Sequence, residues 1–159
     1  MLGAGKSTVG PALAQLMEWR FVDTDDVIAA EVGDVPTYIE TAGIDAFRTH
    51  ETEAIQRVSA NAHALVISVG GGAVLAPANR AALDEVGPVV WLRASLETLL
   101  DHVGNGDGRP LLAGGAESAL RRLLDERTPI YDDFADVVVD VDGLDPYEIA
   151  GEVVKAVLA

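Results

Sequence analysis

The chain has 159 residues, 49% of them hydrophobic, so its length and composition predict a single globular domain with a sizeable core. Its 26 acidic and 11 basic residues give a net charge of −15, which argues against a general nucleic-acid-binding or anionic-membrane-binding surface. Cysteine is absent, which excludes disulfides and thiolate metal sites, and with no 18-residue apolar run or signal-peptide pattern we expect a cytoplasmic location.

The first motif in the chain, G-A-G-K-S-T at residues 3–8, matches the end of a phosphate-binding loop, G-x-x-x-x-G-K-[ST]. Glycines let backbone N–H groups surround phosphate oxygens, Lys6 places a positive charge on the β- and γ-phosphates, and the Ser7 hydroxyl can bind Mg²⁺. Apolar spacing to about Met17 predicts a helix directly after the loop. A chance glycine-rich segment before an ordinary helix is the alternative.

The strand that should lead into this loop has no counterpart in the sequence, because Met1 already lies inside the motif. We expect the natural protein to begin about 8–15 residues earlier and the missing strand to lie in the middle of the sheet. Loss of a buried strand should rival a domain's net stability of about 5–15 kcal/mol. Thermal melts of this chain and of one extended upstream in frame would test the expectation.

Carboxylates follow the first predicted strand, which covers residues 20–22 and ends at the D-T-D-D run of residues 23–26. The C-terminal ends of strands are where open α/β sheets bind their ligands, so these carboxylates are candidate site residues. Alternatively, Thr24 or Asp25 caps a helix that begins near Val27.

Residues 27–60 are predicted to be helical, with breaks at Gly33 and Gly43. Arg48 and Glu51 are three positions apart and can pair on a helix surface. Taken alone, that spacing indicates a solvated ion pair rather than a site.

Residues 65–69 form a continuous apolar run of the kind buried in parallel sheets, and G-G-G at 70–72 follows directly. Three glycines at the end of a strand permit close approach of a ligand to the backbone, or merely a tight turn. A helix over 77–86, a strand over 89–92 and a helix from a Ser95 cap to about Val103 come next.

Residues 104–116 are glycine-rich around Arg109, which predicts a mobile lid that brings a cation to the site; a disordered surface loop is the alternative. A helix over 117–127 is predicted to end within 127–131, before a strand over 137–139. Asp145 opens the last helix with a capping box. Buried strands that alternate with helices predict a parallel sheet covered on both faces.

Together these motifs resemble the shikimate kinase family of P-loop kinases over essentially the whole chain. The matching segments are G-A-G-K-S-T at 3–8, D-T-D at 23–25, F-R-x-x-E at 47–51, G-G-G at 70–72, R-P-L-L at 109–112 and R-x-P-x-Y at 127–131. The resemblance implies a three-layer α/β fold of the nucleoside-monophosphate-kinase-like type that here lacks its central first strand. It also implies a shikimate-binding helical region over 24–60 and a lid over 104–116 within one domain.

The implied activity is transfer of the γ-phosphoryl group of ATP to the 3-hydroxyl of shikimate, with Mg²⁺, in aromatic amino-acid biosynthesis. The resemblance assigns nucleotide contacts to Gly3, Ala4, Gly5, Lys6, Ser7, Thr8, His102, Arg109, Leu144 and Pro146. It assigns substrate contacts to Asp25, Arg48, Gly70, Gly71, Gly72 and Arg127. Asp25 would be the base, with Lys6 and Arg109 as the other catalytic residues, and Ser7 and, through water, Asp23 would hold Mg²⁺.

His102 departs from the family pattern, because an arginine that stacks on adenine usually stands there; an imidazole can stack, but its charge at pH 7 is partial.

Two alternative functions remain open from the sequence. One is a gluconate-kinase-like small-molecule kinase of the same fold, and the other is a non-catalytic nucleotide-binding paralogue. We further expect a monomer that binds ATP and shikimate but neither nucleic acid nor membrane.

Overall fold

The computed structural model describes residues 2–104 and 115–159. In chain order the described elements are α1 (Lys6–Met17), β1 (Arg20–Asp23), α2 (Thr24–Val32), α3 (Val35–Ala42), α4 (Ile44–Ser59), β2 (Leu65–Ser68), a 3₁₀ turn (Ala73–Leu75), α5 (Pro77–Asp84), β3 (Val90–Arg93), α6 (Leu96–Val103), α7 (Ala116–Phe134), β4 (Val137–Asp140) and α8 (Pro146–Leu158). Arg109 and most of the predicted lid lie outside the described residues.

The four strands within residues 2–104 and 115–159 form two separate parallel pairs. β1 pairs with β2, with Phe21 opposite Val66, and β3 pairs with β4, with Trp91 opposite Val138. Parallel neighbours need a crossover connection, and helices supply it in both pairs, with α1 and α8 packed together across the molecule. The predicted α/β class with parallel strands is confirmed.

An apolar groove of about 280 Å³ separates the two strand pairs. β2 and β3 both line it, together with apolar side chains of α1 and α8 such as Leu13 and Val157, whereas β1 and β4 contribute no lining residue. On the groove side, β2 and β3 therefore have no strand partner among residues 2–104 and 115–159. This agrees with the prediction that the sheet lacks its central strand within these residues.

Two apolar clusters hold the described helices in place. The larger one surrounds Leu99 and Leu120, both fully buried, and joins the β3–β4 pair to α1, α6, α7 and α8. The smaller one packs Ile28 of α2 against Phe47 and Ala54 of α4 and forms the interior of the helical region 24–60. None of the described helices is both long and apolar enough to cross a membrane.

The structure corrects the predicted end of α7, which continues through Pro129 to Phe134 instead of stopping within 127–131. Proline removes one helical hydrogen bond and usually ends or kinks a helix. Here Leu123, Arg127 and Tyr131 recur at four-residue spacing and are all at least 93% buried, so the packing of one helix face outweighs the local cost. The extension matters because it carries Tyr131 towards the three glycines at residues 70–72, which we call the glycine loop.

Candidate functional site

The predicted phosphate-binding loop turns sharply into α1 at two glycines. Gly3 and Gly5 have φ values of +79° and +83°, the left-handed region that glycine adopts without steric cost. Gly5 is the N-cap of α1, its carbonyl accepts the first helical bonds, and Thr8 Oγ1 donates to it at 2.8 Å. The first N–H groups of a helix have no partner within that helix, and the helix dipole favours an anion beside them.

Lys6 and the carboxylates at the end of β1, Asp23 and Asp25, form one electrostatic group. Burial lowers the pKa of Lys6, and the negative charges of Asp25 and Asp23 oppose that change. Asp23 caps α2, because its Oδ1 accepts from the Asp25 backbone N–H at 3.0 Å. The suggestion that Thr24 or Asp25 is the cap is therefore wrong; α2 begins at Thr24, and the side chain of Asp25 is not used in capping it.

The carboxylate of Asp25 is partly shielded from water. The residue is exposed at the edge of the site, yet neighbouring protein atoms remove water from part of its carboxylate. This desolvation is the main cause that raises its pKa, the charge of Asp23 adds to the rise, and Lys6 opposes it. A raised pKa makes the Asp25 carboxylate a stronger proton acceptor than an ordinary aspartate.

Gly70 lies between two carboxylates. A Cβ placed on it would stand 2.7 Å from Glu51 Oε1 and 3.1 Å from Asp25 Oδ1, so any larger residue would push against both. Glu51 Oε1 is buried without a hydrogen-bond partner among the described residues. The glycine at this position lets both acidic side chains reach the end of β2.

Gly72 leaves room for the guanidinium group of Arg48, because a Cβ on Gly72 would overlap that group. Arg48 Nη1 donates to Glu51 Oε2 at 2.7 Å; the side chain of Arg48 is 26% exposed and that of Glu51 only 1%. Burial raises the pKa of Glu51, and the charge of Arg48 opposes the rise. The pairing of Arg48 with Glu51 was predicted, but the solvated ion pair that the spacing alone indicated is wrong.

Gly71 is tied to α7 by Tyr131, whose hydroxyl donates to the Gly71 carbonyl oxygen at 2.5 Å. The same hydroxyl is hydrogen-bonded to the Arg127 guanidinium, which can only donate. The Tyr131 ring also packs on Trp91 of β3, with ring centroids 5.3 Å apart. Burial raises the pKa of Tyr131, so the hydroxyl remains a donor.

The glycine loop thus gathers most of the predicted substrate contacts. Asp25, Arg48 and, through Tyr131, Arg127 all converge on it from α2, α4 and α7. Arg127 is 96% buried, and its Nε has no hydrogen-bond partner among the described residues. Sequence reasoning assigned no role in the site to Glu51 or Tyr131, although both stand inside motifs that it used, F-R-x-x-E and R-x-P-x-Y.

The remaining predicted nucleotide contacts are more scattered. His102 at the end of α6 has Nδ1 2.7 Å from the Gly3 carbonyl oxygen, so it lies beside the phosphate-binding loop. Leu144 is exposed before α8, and Pro146 is the first residue of that helix. Their contribution to an adenine pocket stays a prediction, as does the role of Arg109.

The described residues contain no group of three or more metal-ligating side chains. A protein that binds Mg²⁺ mainly through nucleotide phosphates needs only one or two ligands of its own. Ser7 is exposed in the first turn of α1, and Asp23, with one carboxylate oxygen engaged in capping, ends the adjacent strand. These residues fit such a site.

The chain is similar to known proteins over almost its whole length. The family model described as Shikimate kinase matches residues 2–158. A shikimate kinase of Moorella thermoacetica is 41% identical over 159 residues, covering 99% of this chain and 91% of its own, and one of Francisella tularensis subsp. holarctica is 39% identical, covering 89% and 82%. The solved structure of a shikimate kinase from Acinetobacter baumannii in complex with shikimate superposes with a TM-score of 0.94 at 34% identity, covering 99% of this chain and 88% of that one.

Proposed function

The chain belongs to the shikimate kinase family, and from that premise we propose how its own residues bind the substrates and move the proton. The enzyme is an ATP-dependent kinase that phosphorylates the 3-hydroxyl group of shikimate. Family membership, with relatives 39% and 41% identical, argues against the two alternatives, a gluconate-kinase-like enzyme and a non-catalytic nucleotide-binding paralogue. The observation that carries the residue assignments is the convergence of Asp25, Arg48 and Tyr131-linked Arg127 on the glycines at 70–72.

Arg48 and Arg127 hold the carboxylate of shikimate. A guanidinium group presents a planar fork of donors that matches a carboxylate, and charge-assisted bonds of this kind are about twice as strong as neutral ones. Arg48 is held by Glu51 and Gly72, and Arg127 is held by Tyr131, with its buried Nε left without a partner among the described residues. Both groups are therefore set before the substrate arrives, which reduces the entropy lost on binding.

Asp25 accepts hydrogen bonds from the hydroxyl groups at the other end of the substrate. Its Oδ1 lies at the Gly70 end of the loop, whereas the Arg48 guanidinium lies at the Gly72 end. The substrate carboxylate and its reacting hydroxyl would thus be separated along the loop. This arrangement directs the 3-hydroxyl towards Lys6 and the phosphates beyond it.

In the reaction, the 3-hydroxyl oxygen forms a bond to the γ-phosphorus while the bond from that phosphorus to the β–γ bridging oxygen breaks. The hydroxyl proton passes to the Asp25 carboxylate, and ADP leaves with the bridging oxygen. Lys6 contacts the β- and γ-phosphates, and backbone N–H groups of residues 3–8 surround them. Because phosphoryl transfer depends mainly on positioning and charge neutralisation, these contacts supply most of the catalysis.

We assign the Mg²⁺ contacts to the hydroxyl of Ser7 and, through water, to Asp23. Bound Mg²⁺ would neutralise the charge that develops on the phosphate oxygens. Arg109 is the proposed cation of the lid, Leu144 and Pro146 the proposed adenine contacts, and Gly3, Ala4, Gly5 and Thr8 the backbone around the phosphates. We also propose a monomer in the cytoplasm. The net charge of −15 argues against a nucleic-acid or anionic-membrane partner.

A coupled ADP-release assay tests the substrate assignment. The protein is supplied with Mg²⁺ and ATP and then with shikimate, with gluconate or with neither acceptor. We expect ADP release that depends on shikimate alone. Release that requires gluconate, or that occurs equally without an acceptor, would contradict the proposed substrate.

A further inference from the structure

One face of α6 holds Gly3, the first glycine of the G-A-G-K-S-T segment of the phosphate-binding loop. A Cβ on Gly3 would lie 2.9 Å from Val103 Cγ1 and 3.3 Å from the Leu99 carbonyl oxygen. His102 Nδ1 lies 2.7 Å from the Gly3 carbonyl oxygen. Leu99, His102 and Val103 are spaced as neighbours on one side of a helix, so all three contacts come from the same surface.

α6 is a firm support for that contact. Leu99 is fully buried and Val103 is 8% exposed, so both side chains belong to the larger core. At the other end of the helix the Ser95 backbone N–H donates to Asp142, which follows β4. His102 thus projects from a helix that is fixed along its length.

The direction of the hydrogen bond follows from its acceptor. A backbone carbonyl oxygen can only accept, so Nδ1 of His102 carries the hydrogen. The peptide bond that joins Gly3 to Ala4 is planar and trans, and its C=O and N–H groups point in opposite directions. A bond that holds the Gly3 carbonyl towards α6 therefore holds the Ala4 N–H away from α6.

We propose that His102 is a positioning residue for the phosphate-binding loop, acting through its hydrogen bond to Gly3 rather than by stacking on adenine. The bond sets the orientation of the loop peptide whose N–H group is offered to phosphate. This inference rests on the proposal that residues 3–8 bind the phosphates of ATP. The proposal gives His102 a role of its own at the position where the family usually has an arginine that stacks on adenine.

Two substitutions separate the two roles of the side chain. His102→Asn removes the ring but keeps an N–H donor, because Nδ2 of asparagine is bonded to Cγ as Nδ1 is in histidine. His102→Phe keeps an aromatic ring that can stack on a base but removes the donor. The corresponding changes at His63, an exposed residue in the turn before β2, serve as matched controls.

The measurement is binding of Mg²⁺–ATP and of Mg²⁺–tripolyphosphate, which has no base, in the absence of shikimate. We expect His102→Phe to weaken both ligands roughly three- to tenfold, as the loss of one hydrogen bond predicts. His102→Asn should bind both within about twofold of the unchanged protein. At saturating ATP, kcat should change less than KM for ATP in the phenylalanine variant.

The opposite pattern overturns the proposal: weaker ATP binding in His102→Asn with normal tripolyphosphate binding would show stacking on the base. Equal losses in both variants, or no loss in either, would also overturn it. Melting temperatures of the variants, followed by circular dichroism, exclude a general loss of folding as the cause. If the unchanged protein bound neither ligand, the proposed function of the loop itself would fail instead.

Discussion

The guanidinium group of Arg48 lies directly against Gly72, in the space that a Cβ would fill at any other residue. Nη1 of the same group donates a 2.7 Å hydrogen bond to Glu51 Oε2, and the side chain of Glu51 is almost fully buried. Arg48 is therefore confined between a glycine and a glutamate. The third glycine of the loop is required by the position of an arginine that is 24 residues earlier in the chain.

Gly72→Ala should impair shikimate binding more than folding. The backbone of Gly72 has φ −93° and ψ −4°, which alanine accepts, and the group it would displace is the end of a flexible side chain. We expect a several-fold rise in KM for shikimate with little change in KM for ATP.

Gly151→Ala is the matched control, because nothing lies within 4 Å of the added Cβ on α8. Its KM values should stay unchanged and its stability should rise by about 0.5–1 kcal/mol. Steady-state kinetics and denaturant unfolding measure both variants. An unchanged KM for shikimate in Gly72→Ala would show that Arg48 need not be confined.

Tyr131→Phe should raise KM for shikimate by roughly three- to tenfold, because the lost hydroxyl joins Gly71 to Arg127. Tyr147 is exposed on α8, and its hydroxyl donates to Gln15 of α1; Tyr147→Phe removes that bond and should leave the kinetics unchanged. Parallel kinetic curves for the two variants test the difference. Equal KM values would mean that the Tyr131 hydroxyl does not orient the site.

Arg48→Ala and Arg127→Ala should mainly raise KM for shikimate, since a charge-assisted pair is worth about 1.5–3 kcal/mol. Arg109→Ala should mainly lower kcat, because its contact is proposed to matter once charge shifts in the transition state. Arg57→Ala, which breaks an exposed ion pair with Glu31, is the control and should change neither parameter.

The three arginine variants are compared by full substrate titrations, together with their melting temperatures, because Arg48→Ala also leaves Glu51 buried without its partner. If all three substitutions changed kcat and KM to the same extent, the division between substrate binding and transition-state stabilisation would be wrong.

Local signals in the sequence predicted most of the elements and the residues near the glycine loop. Glycine breaks placed the ends of α2 and α3, and the acidic cap of α8 was predicted with its capping box. These features depend on neighbours within a few positions, so a sequence alone can reveal them.

Features that depend on tertiary packing were missed. The continuation of α7 through Pro129 depends on a buried helix face that exists only after folding. Glu51 is buried with Oε1 against Gly70, and the hydroxyl of Tyr131 donates to Gly71, which is 60 positions away. Spacing within a motif indicates that such residues belong together, but it does not reveal which group each one contacts.

The groove between β2 and β3 predicts that an additional parallel strand would stabilise the protein. Fusing a segment of about six apolar residues and a short connection ahead of Leu2 should raise the melting temperature, because it would pair both strand edges and bury apolar surface. A glycine–serine extension of the same length is the control. Equal melting temperatures for the two fusions would show that the groove does not accept a strand.

The most direct measurement is shikimate-dependent ADP release by Asp25→Asn, compared with Asp26→Asn. The first substitution removes the proposed proton acceptor, so kcat should fall about 10²–10⁴-fold while ATP affinity stays nearly unchanged. Asp26 is the neighbouring exposed carboxylate, and its substitution should leave kcat within a few-fold. A kcat close to normal in Asp25→Asn, or an equal loss in both variants, would contradict the assignment of Asp25 as the base.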